Sequence, residues 1–171
     1  LGLRVLRRRN DGYHDLDTIF ARISVHDVLT VTVEGHGVHG ETIDGRTGTS
    51  SEALPAMTPS NLAWRAADAW LQASRSLGSP IEGVHLDLLK RIPIAAGLGG
   101  GSSDAAAVLR ALDRLDPGRI DPMALAPHLG SDVPFFTQGV AAARGQGRGE
   151  CLTPLELAPR PIVLVNPGVG V

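Results

Sequence analysis

Residues 93–104 read Pro93-Ile94-Ala95-Ala96-Gly97-Leu98-Gly99-Gly100-Gly101-Ser102-Ser103-Asp104, and the apolar-periodic stretch Ala105 to Leu115 follows at once. Four glycines in five positions clear side chains from the backbone and let neighbouring N–H groups face one spot. The helix expected behind them adds the positive end of its dipole. That combination suits a phosphate or polyphosphate. The hydroxyls of Ser102 and Ser103 can donate to phosphate oxygens or reach a magnesium ion, and Ala105, Ala106 and Ala107 let the helix start pack closely. A flexible glycine linker is the bland alternative, but linkers do not run through Ser-Ser-Asp into an amphipathic helix.

Other phosphate loops fit less well. A Gly-x4-Gly-Lys-Ser/Thr loop needs a lysine inside it, and the single lysine, Lys90, lies before the run. A dinucleotide fingerprint needs glycine where Ser102 stands, and Pro93 intervenes after the strand. A protein-kinase glycine loop sits between two strands, not ahead of a helix.

Further residues have types that could do chemistry. Asp132, in Gly130-Ser131-Asp132-Val133-Pro134, is a carboxylate that either caps a turn or accepts a hydroxyl proton. Tyr13, the only tyrosine, precedes His14; an aromatic face beside an imidazole edge can stack on a base, or simply cover a hairpin. Asn61 opens a helix and Lys90 ends a strand, and both have ordinary structural readings as a cap and a solvated strand end. The five other histidines show no metal-ligand spacing, and lone Cys151 reads as an idle thiol.

Several elements must position these groups. Gly2–Leu6, Leu16–Val25, Val28–Val33 and a stretch around Val84, Leu86 and Leu88 read as strands. Arg7 to Gly12 reads as a turn, with the arginines Arg7, Arg8 and Arg9 at a solvated hairpin tip. Residues 34–60 read as an elaborated loop with one edge strand near Val38. A helix is expected over Asn61–Leu77, capped by Ser60, with Leu62, Ala66, Ala69, Ala73 and Leu77 on its apolar face. The second helix presents Ala105, Val108, Leu109, Leu112 and Leu115, and a third spans Pro122 to Leu129. Gly130 to Phe136 reads as a loop, followed by short strands. Gly145 to Glu150 reads as a bulge or turn, and Pro161 to Val171 as a strand followed by a loop. The order does not alternate strictly, so an α+β fold with a mixed, mostly antiparallel sheet packed with helices is expected.

Composition bounds the function. The chain has 171 residues, 43 % hydrophobic and 20 % charged, with a formal net charge of −2. That is room for one domain or one and a part. The charge disfavours a nucleic-acid surface. No apolar run reaches a membrane span and no signal peptide is present, so the expectation is a cytoplasmic protein without a membrane partner. Leu1 is no start methionine and the last residues stop in a loop, which leads to the expectation of a fragment cut at both ends.

The glycine run resembles the second motif of the GHMP kinases, small-molecule ATP kinases. Arg9 to Phe20 and Leu129 to Phe136 resemble the branch that phosphorylates the 2-hydroxyl of 4-diphosphocytidyl-2-C-methyl-D-erythritol in the non-mevalonate isoprenoid pathway. The resemblance runs over the whole chain, with the motifs in order. It implies a ribosomal-S5-domain-2-like N-terminal ATP-binding domain over residues 1–154, and in 155–171 the start of a substrate-side segment that leads to a further domain. It implies that Asp132 is catalytic and that Tyr13 and His14 hold the cytosine ring of the substrate. It also places Pro93–Ser103, Asn61 and Lys90 around ATP, with magnesium as companion. The family's catalytic lysine belongs just before Leu1, so the chain alone is expected to be inactive. Mevalonate, homoserine and sugar kinases of the family need no Asp11-Gly12-Tyr13-His14. A non-catalytic nucleotide- or RNA-binding module shares the architecture, but has no use for Asp132 in its motif.

Overall fold

A computed structural model of the chain describes residues 2–8, 12, 14–48 and 54–165. Its elements run β1 (Gly2–Arg8), β2 (His14–Ala21), β3 (Val28–Val33), β4 (Gly37–Asp44), α1 (Leu62–Arg75), β5 (Gly83–Lys90), α2 (Gly100–Leu115), α3 (Pro122–Leu129), α4 (Val133–Gln138), β6 (Ala142–Gly147) and β7 (Cys151–Pro154). The fold is α+β, but the strands divide into two sheets. One is four-stranded and antiparallel throughout, in the order β1-β2-β6-β7. The other has the order β3-β5-β4, with β3 antiparallel and β4 parallel to the central strand.

The central strand β5 alternates in burial, with Val84, Leu86 and Leu88 turned inward. Two helices cover that face. α1 buries Ala63, Ala66, Ala67, Trp70 and Leu71, and α2 buries Ala105, Ala106, Val108, Leu109 and Leu112. Alanines at the contact let the two helix axes approach closely. α3 and α4 add Ala126, Leu129 and Val133 to the same core. The antiparallel sheet joins through an aromatic contact, Phe20 of β2 stacked on Phe135 of α4 at 5.1 Å between ring centroids.

Several boundaries differ from the sequence reading, each for a local reason. α2 begins at Gly100, not Ala105, so Gly100 to Ser103 form its first turn. Glycine is a poor helix former, but the first turn needs no intrahelical N–H partners. Here the Ser103 amide donates to Gly99 O and the Ser103 hydroxyl to Gly100 O, both at 2.9 Å. Asn61, not Ser60, caps α1; the Ser60 hydroxyl is taken by Thr58 at 2.9 Å. α1 ends at Arg75 rather than Leu77, which lies past the helix and is 51 % exposed, and Leu115 at the end of α2 likewise lies 50 % exposed. The expected loop at 130–136 holds α4, too short to show a period. β1 runs on to Arg8 through the expected turn, tied by the ion pair of Arg7 with Asp15. β2 ends at Ala21 rather than Val25, and the edge strand near Val38 is β4. Gly145 to Gly147 belong to β6, with the turn at 148–150. Residues 161–165 form no strand. Among the described residues no helix is long and apolar enough to cross a membrane.

The core assignment gives a paired expectation. Leu109→Ala, at 0 % exposure, lowers unfolding free energy by about 2–5 kcal/mol, whereas half-exposed Leu115→Ala changes it by less than about 1 kcal/mol. Urea unfolding followed by circular dichroism measures both.

Candidate functional site

The glycine run leaves β5 after Lys90 and enters α2 at Gly100. Gly97 and Gly99 both adopt φ +68°, a left-handed conformation open to glycine. Ala95 adopts φ +53°, where an L-residue is strained by about 1–2 kcal/mol. Strain of this kind gathers where a backbone is held for a ligand.

Gly97, Leu98, Gly99 and Ser103 line a cavity of about 450 Å³ together with Asp132, Phe135, Phe136, Arg22 and Arg110. Strand β2 supplies the opposite wall through residues 18–21. Pro93, Ile94, Ala95, Ala96, Gly100, Gly101 and Ser102 do not line it. They shape the loop and the first turn of α2.

Asp132 stands immediately before α4, yet its carboxylate makes no capping hydrogen bond. The turn-aspartate reading of this residue therefore has no contact behind it. Its Oδ2 lies 4.0 Å from the place a β-carbon on Gly99 would occupy, so the acid faces the glycine loop at close range. Burial pushes its carboxyl above the usual carboxylate range. The same missing side chain admits Phe136, whose ring would stand 3.1 Å from that β-carbon. Arg22 braces α4 by donating to Phe136 O at 2.7 Å and lies 5.9 Å from the Phe135 ring centroid.

The other expected site residues are placed elsewhere. Asn61 caps α1 with Oδ1, which accepts from the Ala63 amide at 2.9 Å, and its Nδ2 donates to Pro55 O and Ala56 O. Lys90 is buried, with its ammonium shared between Asp27 at 2.5 Å and Asp104 at 2.7 Å. Burial drives the Asp104 carboxyl up to about 7 against the pull of Lys90. Burial also raises Asp27, but hydrogen bonds from Lys90, Ile92 and Arg91 outweigh it and hold that carboxyl below the ordinary range. His14 is exposed at the start of β2, paired with Arg8 across the hairpin. Tyr13 lies outside the described residues, as does the 166–171 end.

Sequence reasoning missed Arg22, Arg110 and the phenylalanines of the cavity, and the carboxylates that meet Lys90. The only advance signal was the apolar Val-Pro-Phe-Phe after Asp132. Among the described residues no group of three or more His, Cys, Asp or Glu side chains is arranged to hold a metal ion.

Residues 61–140, which hold the loop and Asp132, match the family described as GHMP kinases N terminal domain. The whole chain is 47 % identical to 4-diphosphocytidyl-2-C-methyl-D-erythritol kinase of Thermus thermophilus, covering 56 % of that protein. The enzyme of the same name from Geobacter sulfurreducens is 42 % identical over 99 % of this chain and 58 % of its own length. A solved structure of 4-(cytidine 5'-diphospho)-2C-methyl-D-erythritol kinase superposes with a TM-score of 0.73 at 48 % identity, covering 92 % of this chain and 52 % of that one. The chain thus spans about half the length of the curated relatives it matches. The left-handed glycines, the helix behind them and Asp132 thus meet around one cavity within the residues that match the GHMP kinases N terminal domain.

Proposed function

We propose that this chain provides the nucleotide-binding half of an enzyme that transfers the γ-phosphoryl group of ATP to the 2-hydroxyl of 4-diphosphocytidyl-2-C-methyl-D-erythritol, a step of the non-mevalonate isoprenoid pathway. The observation that carries this reading is Asp132: half-buried, unused as a cap, and facing Gly99 across a cavity. The 40–47 % identity to relatives bearing that name supports the choice of acceptor.

The backbone amides of the 97–101 stretch and the N-terminus of α2 receive the triphosphate. Asp132 accepts, or orients, the proton of the attacking tertiary hydroxyl. The oxygen then attacks the γ-phosphorus in line, its new bond forming as the bond to the ADP oxygen breaks. Most of the acceleration comes from positioning and charge stabilisation. A magnesium ion suits this arrangement: the hydroxyls of Ser102 and Ser103 are hard oxygen donors at the cradle, and such an ion rides mainly on substrate phosphates. It would supply charge neutralisation there. His14 and Tyr13 recognise the cytosine ring, and Asn61 fixes the 55–56 turn and the start of α1 beside the nucleotide. Residues 1–154 act as the ATP-binding unit, and 155–171 lead toward the acceptor side.

Asp132→Asn in the full-length protein lowers kcat by ~10²–10⁴ and leaves ATP affinity near parental. A variant with parental turnover of ATP and the cytidyl acceptor overturns the assignment. The raised carboxyl sets two pH signatures. The acid limb of kcat/KM lies above the ordinary aspartate value, because Asp132 must be ionised to act. Its burden on stability is absent below that value and complete above the folded-state pKa, since the folded protein holds the proton more tightly. Asp132→Asn therefore raises Tm at pH 8, and the gain fades toward pH 4; scanning calorimetry across that range reads it.

Gly99→Ala forces an L-residue to φ +68° and presses on Phe136. Its nucleotide KM rises by about 10- to 100-fold, the scale of a misplaced binding group. Steady-state kinetics against ATP concentration checks this.

A further inference from the structure

Three ionisable side chains meet beneath the phosphate cradle, and the chemistry above uses none of them directly. Lys90 at the end of β5 holds Asp27, which precedes β3, and Asp104 in the first turns of α2. All three are nearly sealed from solvent, with side-chain exposures of 6 %, 3 % and 6 %. When all are ionised, one cation between two anions leaves a net negative charge near a site for polyphosphate. Buried ion pairs add little stability over apolar packing, and their best-attested use is to fix a register.

The register here is that of the glycine loop. Asp27 Oδ1 accepts the backbone N–H groups of Arg91 and Ile92, where the loop begins. Asp104 brings the start of α2, where the loop ends, onto the same ammonium. A β-carbon on Gly100 would stand 3.4 Å from Lys90 Nζ and 3.1 Å from Ile92 Cγ2, so the helix start rests on this cluster. Both ends of the 91–99 segment are thereby tied to one nitrogen.

We propose that Lys90, Asp27 and Asp104 are positioning residues for phosphoryl transfer, a single knot that sets the loop's entrance and exit so that its amides converge on the phosphates. Lys90 acts through this knot and does not itself touch the nucleotide. The proposal rests on the phosphoryl-transfer reading of the cavity.

The test uses the full-length protein with Lys90→Met, Lys90→Arg, Asp27→Asn, Asp104→Asn and the double variant Lys90→Met/Asp104→Asn. Steady-state kinetics give KM for ATP and for the cytidyl acceptor, and calorimetry gives ATP affinity without turnover. Each acid variant raises the ATP KM by about tenfold or more while the acceptor KM holds, because a displaced loop misplaces only the donor. Lys90→Arg recovers part of the loss of Lys90→Met. The double variant is no worse than its worse single parent, since one shared contact is lost only once. Asp104→Asn keeps the side-chain shape and an acceptor oxygen, so it carries the test if Lys90→Met does not fold. An ATP KM that rises in Lys90→Met but not in Asp27→Asn and Asp104→Asn means that Lys90 touches the nucleotide, and the proposal fails. It also fails if the variants lose Tm while their folded fractions keep parental KM values. A parent protein without ATP-dependent turnover overturns the phosphoryl-transfer reading instead, and the calorimetric ATP affinities then decide the positioning claim alone.

Discussion

Everything at the site depends on a missing methyl group. The α-carbon of Gly99 is bare, so the Phe136 ring can lie against it and Asp132 can face the loop. Any side chain there would push α4 outward. α4 also carries Phe135, whose ring stacks on Phe20 of β2 and so brings the antiparallel sheet to the helical layer. A close approach at one residue thus sets the distance between the proposed base and the glycine loop. It also joins the antiparallel sheet to the helical layer through the aromatic residues.

Environment sorts three carboxylates of similar chemistry into different roles. Asp132 is half-buried with no hydrogen-bonded partner to offset desolvation, so its proton is held more tightly than in water. Asp27 is buried too, but an ammonium and two backbone amides stabilise its charge. Asp104 shares the same ammonium and lacks those amides, so burial prevails. The sharing of Lys90 is therefore unequal, and the chain direction at Arg91 and Ile92 decides which acid holds the charge more firmly.

The sequence carried local information well. Val28–Val33 and Pro122–Leu129 have the bounds that alternation and an N-terminal proline suggested, and the central core of α2 follows its apolar period. It also pointed to Gly97, Gly99, Ser103 and Asp132, which the fold gathers around one cavity. Contacts between distant segments escaped it. Asp27 in His26-Asp27 looks like any surface acid until β3 lies beside β5 and places it at Lys90. Arg110 reads as the polar side of an amphipathic helix, and only the approach of β2 and α4 makes that side a cavity wall. The helical start at Gly100 was hidden for a different reason. Propensity describes residues inside a helix, while this turn is held by Gly99 O and by the packing of Ile92 and Lys90 beneath it.

Ala95 has one further consequence. Glycine would take its φ of +53° without steric cost, yet the chain carries a residue with a β-carbon there. A methyl group narrows the conformations open to the peptide before any ligand arrives. The segment is therefore stiff in advance, and the anion proposed for this loop would meet amides already aimed rather than having to freeze them into place. Affinity at such a loop is gained through entropy withheld from the empty protein, at the expense of adaptability to anions of another shape.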